Sequence, residues 1–78
     1  MRVVIGEDSA LFREGLALLL RDAGHDVVAA VGDAPALLTA VARELPDLAV
    51  VDVRMPPGLD DDGARAAARI RGEHPGVA

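Results

Sequence analysis

Three acidic residues stand where short apolar runs end. Glu7 and Asp8 follow Val3-Val4-Ile5-Gly6. Asp52 follows Leu48-Ala49-Val50-Val51, and Met55-Pro56-Pro57 begins three residues later. Short apolar runs of this kind, bounded by polar or turn-forming residues, read as buried strands. In an open parallel sheet the carboxyl ends of the strands share one edge, and ligands bind there. If the two runs are neighbouring strands, three carboxyl groups converge on one pocket. Carboxylates held that close repel one another, and they suit a hard divalent cation such as Mg²⁺, which takes oxygen ligands.

The elements needed to position those groups alternate along the chain. Arg2 to Gly6 reads as a first strand. Ser9 is placed to cap a helix in which Phe12, Leu16, Leu19 and Leu20 fall at helical spacing and are expected in the core, and Gly24 suits a left-handed end to it. Asp26 to Val31 gives a second strand. Asp33 as N-cap and Pro35 in the first turn open a second helix with a stripe of Leu37, Leu38, Val41 and Leu45, stopped by Pro46. Asp47 to Val53 is apolar on consecutive residues, as in a strand covered on both faces. A loop rich in Pro, Gly and Asp leads to a third helix from about Gly63 to Glu73. Asp60, Asp61 and Asp62 sit at its positive end as solvated charges. Its apolar face is thin, comprising Ala64, Ala67, Ala68 and Ile70 or Arg71. His74-Pro75-Gly76 ends it, and Val77-Ala78 reads as the first step of a fourth strand. The order βαβαβα implies an α/β fold with helices on both faces of a parallel sheet.

Bulk composition narrows the function. The 78 residues suffice for one small domain, and 51% apolar content is too high for a disordered segment. A net charge of −5 opposes direct binding of this segment to a phosphate backbone. The absence of cysteine excludes disulfides, thiolate metal sites and a thiol nucleophile. No apolar run approaches membrane-spanning length, so no membrane association and a cytoplasmic location are expected. All eight basic residues are arginine. His25 and His74 read as surface residues, and Met55-Pro56 as a loop-shaping pair.

An acidic pair after strand one, a lone Asp ending strand three and Met-Pro three residues beyond it resemble the response-regulator receiver domain of bacterial two-component signalling. The resemblance covers the whole chain, residues 1–78. It implies a flavodoxin-like (CheY-like), doubly wound parallel sheet, here incomplete. The Leu11-Phe12-Arg13-Glu14-Gly15-Leu16 stretch is similar to the subgroup with a LuxR-type helix-turn-helix output domain. The resemblance makes Asp52 the phosphoacceptor for a sensor histidine kinase. It assigns Mg²⁺ to Asp8, Asp52 and the backbone carbonyl of Arg54, with Glu7 in the acidic pocket, directly or through water. The implied protein is a signalling domain and not an enzyme, at most catalysing its own phosphorylation and dephosphorylation. It would control transcription through a domain outside these residues, with homodimerisation as a further expectation. The chemistry is sound on its own terms. A carboxylate can attack phosphorus to form an acyl phosphate, and a divalent cation neutralises the approach of an anionic phosphoryl group to bare carboxylates.

The family's later strands end in a Ser or Thr and in a Lys, and neither can be assigned here. The chain thus looks like roughly the N-terminal two-thirds of a receiver. Losing such a preorganised partner costs a rate factor of about 10²–10³. The face over helix one, including Leu16, Leu19, Val3 and Val50, would then be half exposed, and the open sheet edge would offer unpaired groups. An alternative function follows: a non-catalytic fragment acting as an interaction or dimerisation module. Other α/β enzymes fit poorly. Gly6-Glu7-Asp8-Ser9 is not a dinucleotide-binding turn, and an aspartyl phosphatase would want an acid where Arg54 stands.

Overall fold

The computed structural model describes residues 1–52 and 62–78. Three strands, β1 (Arg2–Gly6), β2 (Asp26–Val31) and β3 (Leu48–Val51), alternate with three helices, α1 (Ala10–Asp22), α2 (Ala34–Glu44) and α3 (Asp62–Glu73). The strands form a parallel sheet in the order β2-β1-β3. The reversal of strand order at β1 creates a switch point, and the crevice beyond the strand ends opens there.

Local chemistry sets the boundaries. Ser9 caps α1 by accepting the Phe12 N–H, and Asp33 caps α2 by accepting the Ala36 N–H at 2.7 Å. Gly24 follows α1 at φ 90°, in the region that glycine enters without a Cβ penalty. α2 ends at Leu45, a non-glycine residue at φ 45°, just before Pro46.

Two apolar layers hold the sheet. On one face Val3, Ile5 and Val27 pack with Ala17 of α1, with Leu16, Leu20, Leu48 and Val50 at the margin. On the other face Val4 packs with Leu37, Ala40 and Val41 of α2, with Ala66 and Ile70 of α3 and with Val77. β2 carries a bulge: Val3 pairs with Val27 but Val4 pairs with Ala29, leaving Val28 as an extra residue. The bulge reverses the strand's alternation, so Val27 faces α1 while Ala29 and Val31 face α2.

Val77-Ala78, expected to begin a fourth strand, forms no strand among the described residues, but Ala78 is hydrogen-bonded alongside β3. Ala78 accepts from the Ala49 N–H and donates to the Asp47 carbonyl. Among the described residues, no helix is long and apolar enough to cross a membrane.

Four expectations about the core need correction. Phe12 is 71% exposed and Leu19 68% exposed, because α1 lies on the sheet through Leu16, Ala17 and Leu20, which turns those two outward. Val3 is fully buried and not part of an open patch, because Ala17 and Val27 cover it. Leu45 is exposed, because its left-handed backbone turns it out of the α2 stripe. The buried face of α3 is Gly63, Ala66 and Ile70, whereas Ala64, Ala68 and Arg71 face solvent. Val53, the expected end of the third strand, lies outside the described residues.

Candidate functional site

The site begins with backbone pairing. β1 and β3 pair through Gly6 and Val51, and one step later the Asp52 N–H donates to the Gly6 carbonyl at 2.8 Å. On the other side of β1, the Glu7 N–H donates to the Val31 carbonyl at 3.0 Å. The ladder bonds therefore carry the end of β1 to a fixed height between its two neighbours, and acidic residues follow immediately on both β1 and β3.

The carboxylates of Glu7, Asp8 and Asp52 converge. One oxygen from each lies within 4.8 Å of the other two. Glu7 and Asp52 are half-buried and Asp8 is exposed, so the cluster opens to solvent on one side. The Ser9 N–H reaches back to Glu7 Oε1 at 3.3 Å, placing that carboxylate at the positive start of α1. The donor set fits a hard divalent cation: all three groups are carboxylates, and no soft ligand is among them. With Mg²⁺–oxygen bonds of about 2.0–2.1 Å, two oxygens sharing an ion lie no more than about 4.2 Å apart. A spacing of up to 4.8 Å is thus compatible with direct ligation by two groups and contact through water for the third.

Arg54, the expected source of a carbonyl ligand, lies outside the described residues, as do Met55, Pro56, Pro57, Asp60 and Asp61. Asp62 opens α3 in its first turn. His25 and His74 are both half-buried and not fully on the surface. His25 Nδ1 lies 3.3 Å from the N-terminal amine, at the end of the sheet opposite the acidic cluster. Glu7 and Asp52 also border an open hollow of about 810 Å³ walled by Leu11, Phe12, Gly15, Leu16, Leu18 and Leu19 of α1.

Sequence reasoning missed one neighbour of the site. Arg13 Nη1 donates to the Glu7 carbonyl at 2.7 Å. Nothing in the spacing marks Arg13, since a charged residue in the second turn of a helix reads as a solvated group.

Comparison with known proteins agrees with this arrangement. Residues 3–78 match the family described as the response regulator receiver domain. The chain belongs to the response-regulator receiver family. It is 44% identical over 72 residues to the probable transcriptional regulatory protein NarL of Mycobacterium tuberculosis, covering 91% of this chain and 32% of that protein. It therefore spans about a third of the length of this curated relative. The signal receiver domain of the putative response regulator NarL from the same organism superposes with a TM-score of 0.86 at 42% identity, over 97% of this chain and 60% of that one. The BeF₃-activated N-terminal receiver domain of Klebsiella pneumoniae RstA gives a TM-score of 0.81 at 27% identity, over 94% of this chain and 59% of that one. The family fixes the broad function: receiver domains are signalling modules of two-component systems, and the NarL relative is a regulator of transcription.

Proposed function

We propose that Asp52 accepts a phosphoryl group from a sensor histidine kinase, with Mg²⁺ held by Asp8, Asp52 and the Arg54 carbonyl and with Glu7 completing the acidic pocket. The observation that carries this reading is the convergence of three carboxylates from two strand ends at the switch point of a receiver fold. Asp52 would act as nucleophile: a carboxylate oxygen attacks phosphorus, and the bond from phosphorus to the donor nitrogen breaks. Mg²⁺, when bound, supplies charge neutralisation between acceptor and phosphoryl oxygens. The β3 backbone presents Asp52 through the 2.8 Å bond to Gly6, and the start of α1 orients Glu7. The BeF₃-activated state recorded for the RstA receiver supports an activation site in this fold.

Residues 1–78 are read as the N-terminal part of a receiver domain. Its phosphorylation controls a transcriptional output carried elsewhere in the protein, by analogy with the NarL relative. In this reading the segment makes no direct contact with nucleic acid and acts in the cytoplasm. It is an acceptor and not an enzyme acting on other molecules. The test is incubation with a small phosphoramidate donor and Mg²⁺, followed by intact-mass measurement. Wild type should gain one phosphoryl group, and neither Asp52→Ala nor the EDTA-treated protein should do so. A labelled Asp52→Ala variant would refute the assignment.

The outward apolar side of α1 favours a second reading, that of an interaction or dimerisation module. Leu11 is 79% exposed, and Phe12 and Leu19 stand beside it. Sizing chromatography decides this reading. A concentration-dependent dimer abolished by Phe12→Glu supports it, and a monomer at all concentrations removes it.

A further inference from the structure

We infer that Arg13, admitted by Gly32, is a positioning residue that sets the orientation of the Glu7–Asp8 peptide and thereby the affinity of the acidic cluster for a divalent cation. The inference rests on the reading of that cluster as a cation site.

The backbone around Glu7 is held at three points. The Glu7 N–H reaches Val31 on β2, and the Gly6 carbonyl receives the Asp52 N–H from β3. Both bonds continue the sheet ladder and lie on the strand side of Glu7. The third restraint is the 2.7 Å bond from Arg13 Nη1 to the Glu7 carbonyl, on the far side of the residue. The peptide between Glu7 and Asp8 is planar, so aiming its carbonyl fixes the rotation of the whole plane. The Cα of Asp8 lies on that plane. Together with the φ rotation of Asp8, where Arg13 holds the carbonyl sets the direction in which the Asp8 side chain leaves the backbone.

Gly32 makes room for this contact. It comes directly after Val31, the residue that receives the Glu7 N–H. A Cβ at position 32 would fall 2.9 Å from Arg13 Nη1 and 3.8 Å from the Glu7 carbonyl oxygen. The first distance is too short to persist. The atom in the way is the end of a flexible side chain, so Gly32→Ala displaces the guanidinium while leaving the backbone in place.

Two effects of Arg13 oppose each other, and their signs separate them. As a nearby positive charge it should weaken cation binding, whereas as an orienting group it should strengthen it. Outer-sphere partners of metal ligands change affinity by about 10–100-fold when removed. A single guanidinium charge in a half-exposed, water-screened site acts more weakly than that. Orientation should therefore win, and Gly32→Ala isolates it because the charge is retained.

The test is an NMR titration of the 78-residue chain with Mg²⁺, following the amide signals of Glu7, Asp8 and Asp52. Urea unfolding in metal-free buffer is measured alongside. Arg13→Ala and Gly32→Ala should each weaken Mg²⁺ binding by about tenfold. The double variant should be no weaker than either single one, because both remove the same bond. Arg13→Lys, which keeps one donor, should recover part of the loss. These changes should not track the metal-free unfolding midpoints. Affinity that is unchanged or tighter in Arg13→Ala, losses that add in the double variant, or losses that follow stability would overturn the inference while leaving the site in place. Wild-type protein with no saturable Mg²⁺ binding would remove the site and the inference together.

Discussion

The Asp52 N–H and the Gly6 carbonyl meet at 2.8 Å, one step beyond the last paired residues of β1 and β3. The acidic residues of the two strands are thus brought level by backbone pairing. Like charges held that close repel, and a divalent cation among them would offset that repulsion.

Mg²⁺ should therefore stabilise the folded chain. At a free concentration of 100 times its Kd, the unfolding free energy should rise by about 2.7 kcal/mol. Urea denaturation with and without Mg²⁺ measures this. EDTA or Asp8→Ala should abolish the difference.

Leu45 offers a substitution that removes apolar surface and yet should help. It is 60% exposed and held at φ 45°. A left-handed backbone costs a branched residue about 1–2 kcal/mol, whereas glycine pays about 0.5–1 kcal/mol in chain entropy. Leu45→Gly should raise stability by about 0.5 kcal/mol, read from the denaturation midpoint.

The two helix caps should differ in strength. Asp33 Oδ1 accepts the Ala36 N–H at 2.7 Å, but Ser9 Oγ accepts the Phe12 N–H at 3.4 Å. Asp33→Ala should cost about 1 kcal/mol and Ser9→Ala less than about 0.5 kcal/mol. Chemical denaturation followed by far-ultraviolet circular dichroism compares them on one scale.

The Arg69 hydrogen bond, 2.6 Å from Nε to Glu73 Oε1, holds the Glu73 carboxyl below its ordinary value of 4.5. A depressed carboxyl contributes its stabilisation above that ordinary value and loses it as pH falls through the lowered one. The pair is exposed, so the effect on overall stability is small and screened by salt. An NMR titration should place the Glu73 midpoint lower in wild type than in Arg69→Ala.

Much of this molecule could be read before folding, because its boundaries are written in local chemistry. Asp33, Ser9, Gly24 and Pro46 mark helix ends through hydrogen bonds and backbone preferences that need no tertiary partner. Glu7, Asp8 and Asp52 came together because strand ends in a parallel sheet share one edge. The errors lie where side chains offer little contrast. α1 is apolar on two sides, so spacing alone could not say whether Phe12 or Ala17 meets the sheet. α3 is built of Ala, Arg and Gly, and its buried face includes Gly63, which carries no hydrophobic signal. Arg13 and Gly32 come together only through the placement of α1 beside the end of β2, a relation with no imprint in either local segment.

The extra residue in β2 gives the α2 layer a side chain that regular alternation would not. Val28 works as a half-turn of a screw: upstream of it odd-numbered side chains serve the α1 layer, and downstream they serve the α2 layer. Excising it would restore plain alternation and keep the other pairings, Val27 with Val3 and Ala29 with Val4, at the loss of the Val28 side chain from the α2 layer. Ala30 would still pair with Ile5 and Val31 with Gly6, so Val31 would stay against the α2 layer. Gly32, directly after Val31, would likewise keep its place beside Arg13.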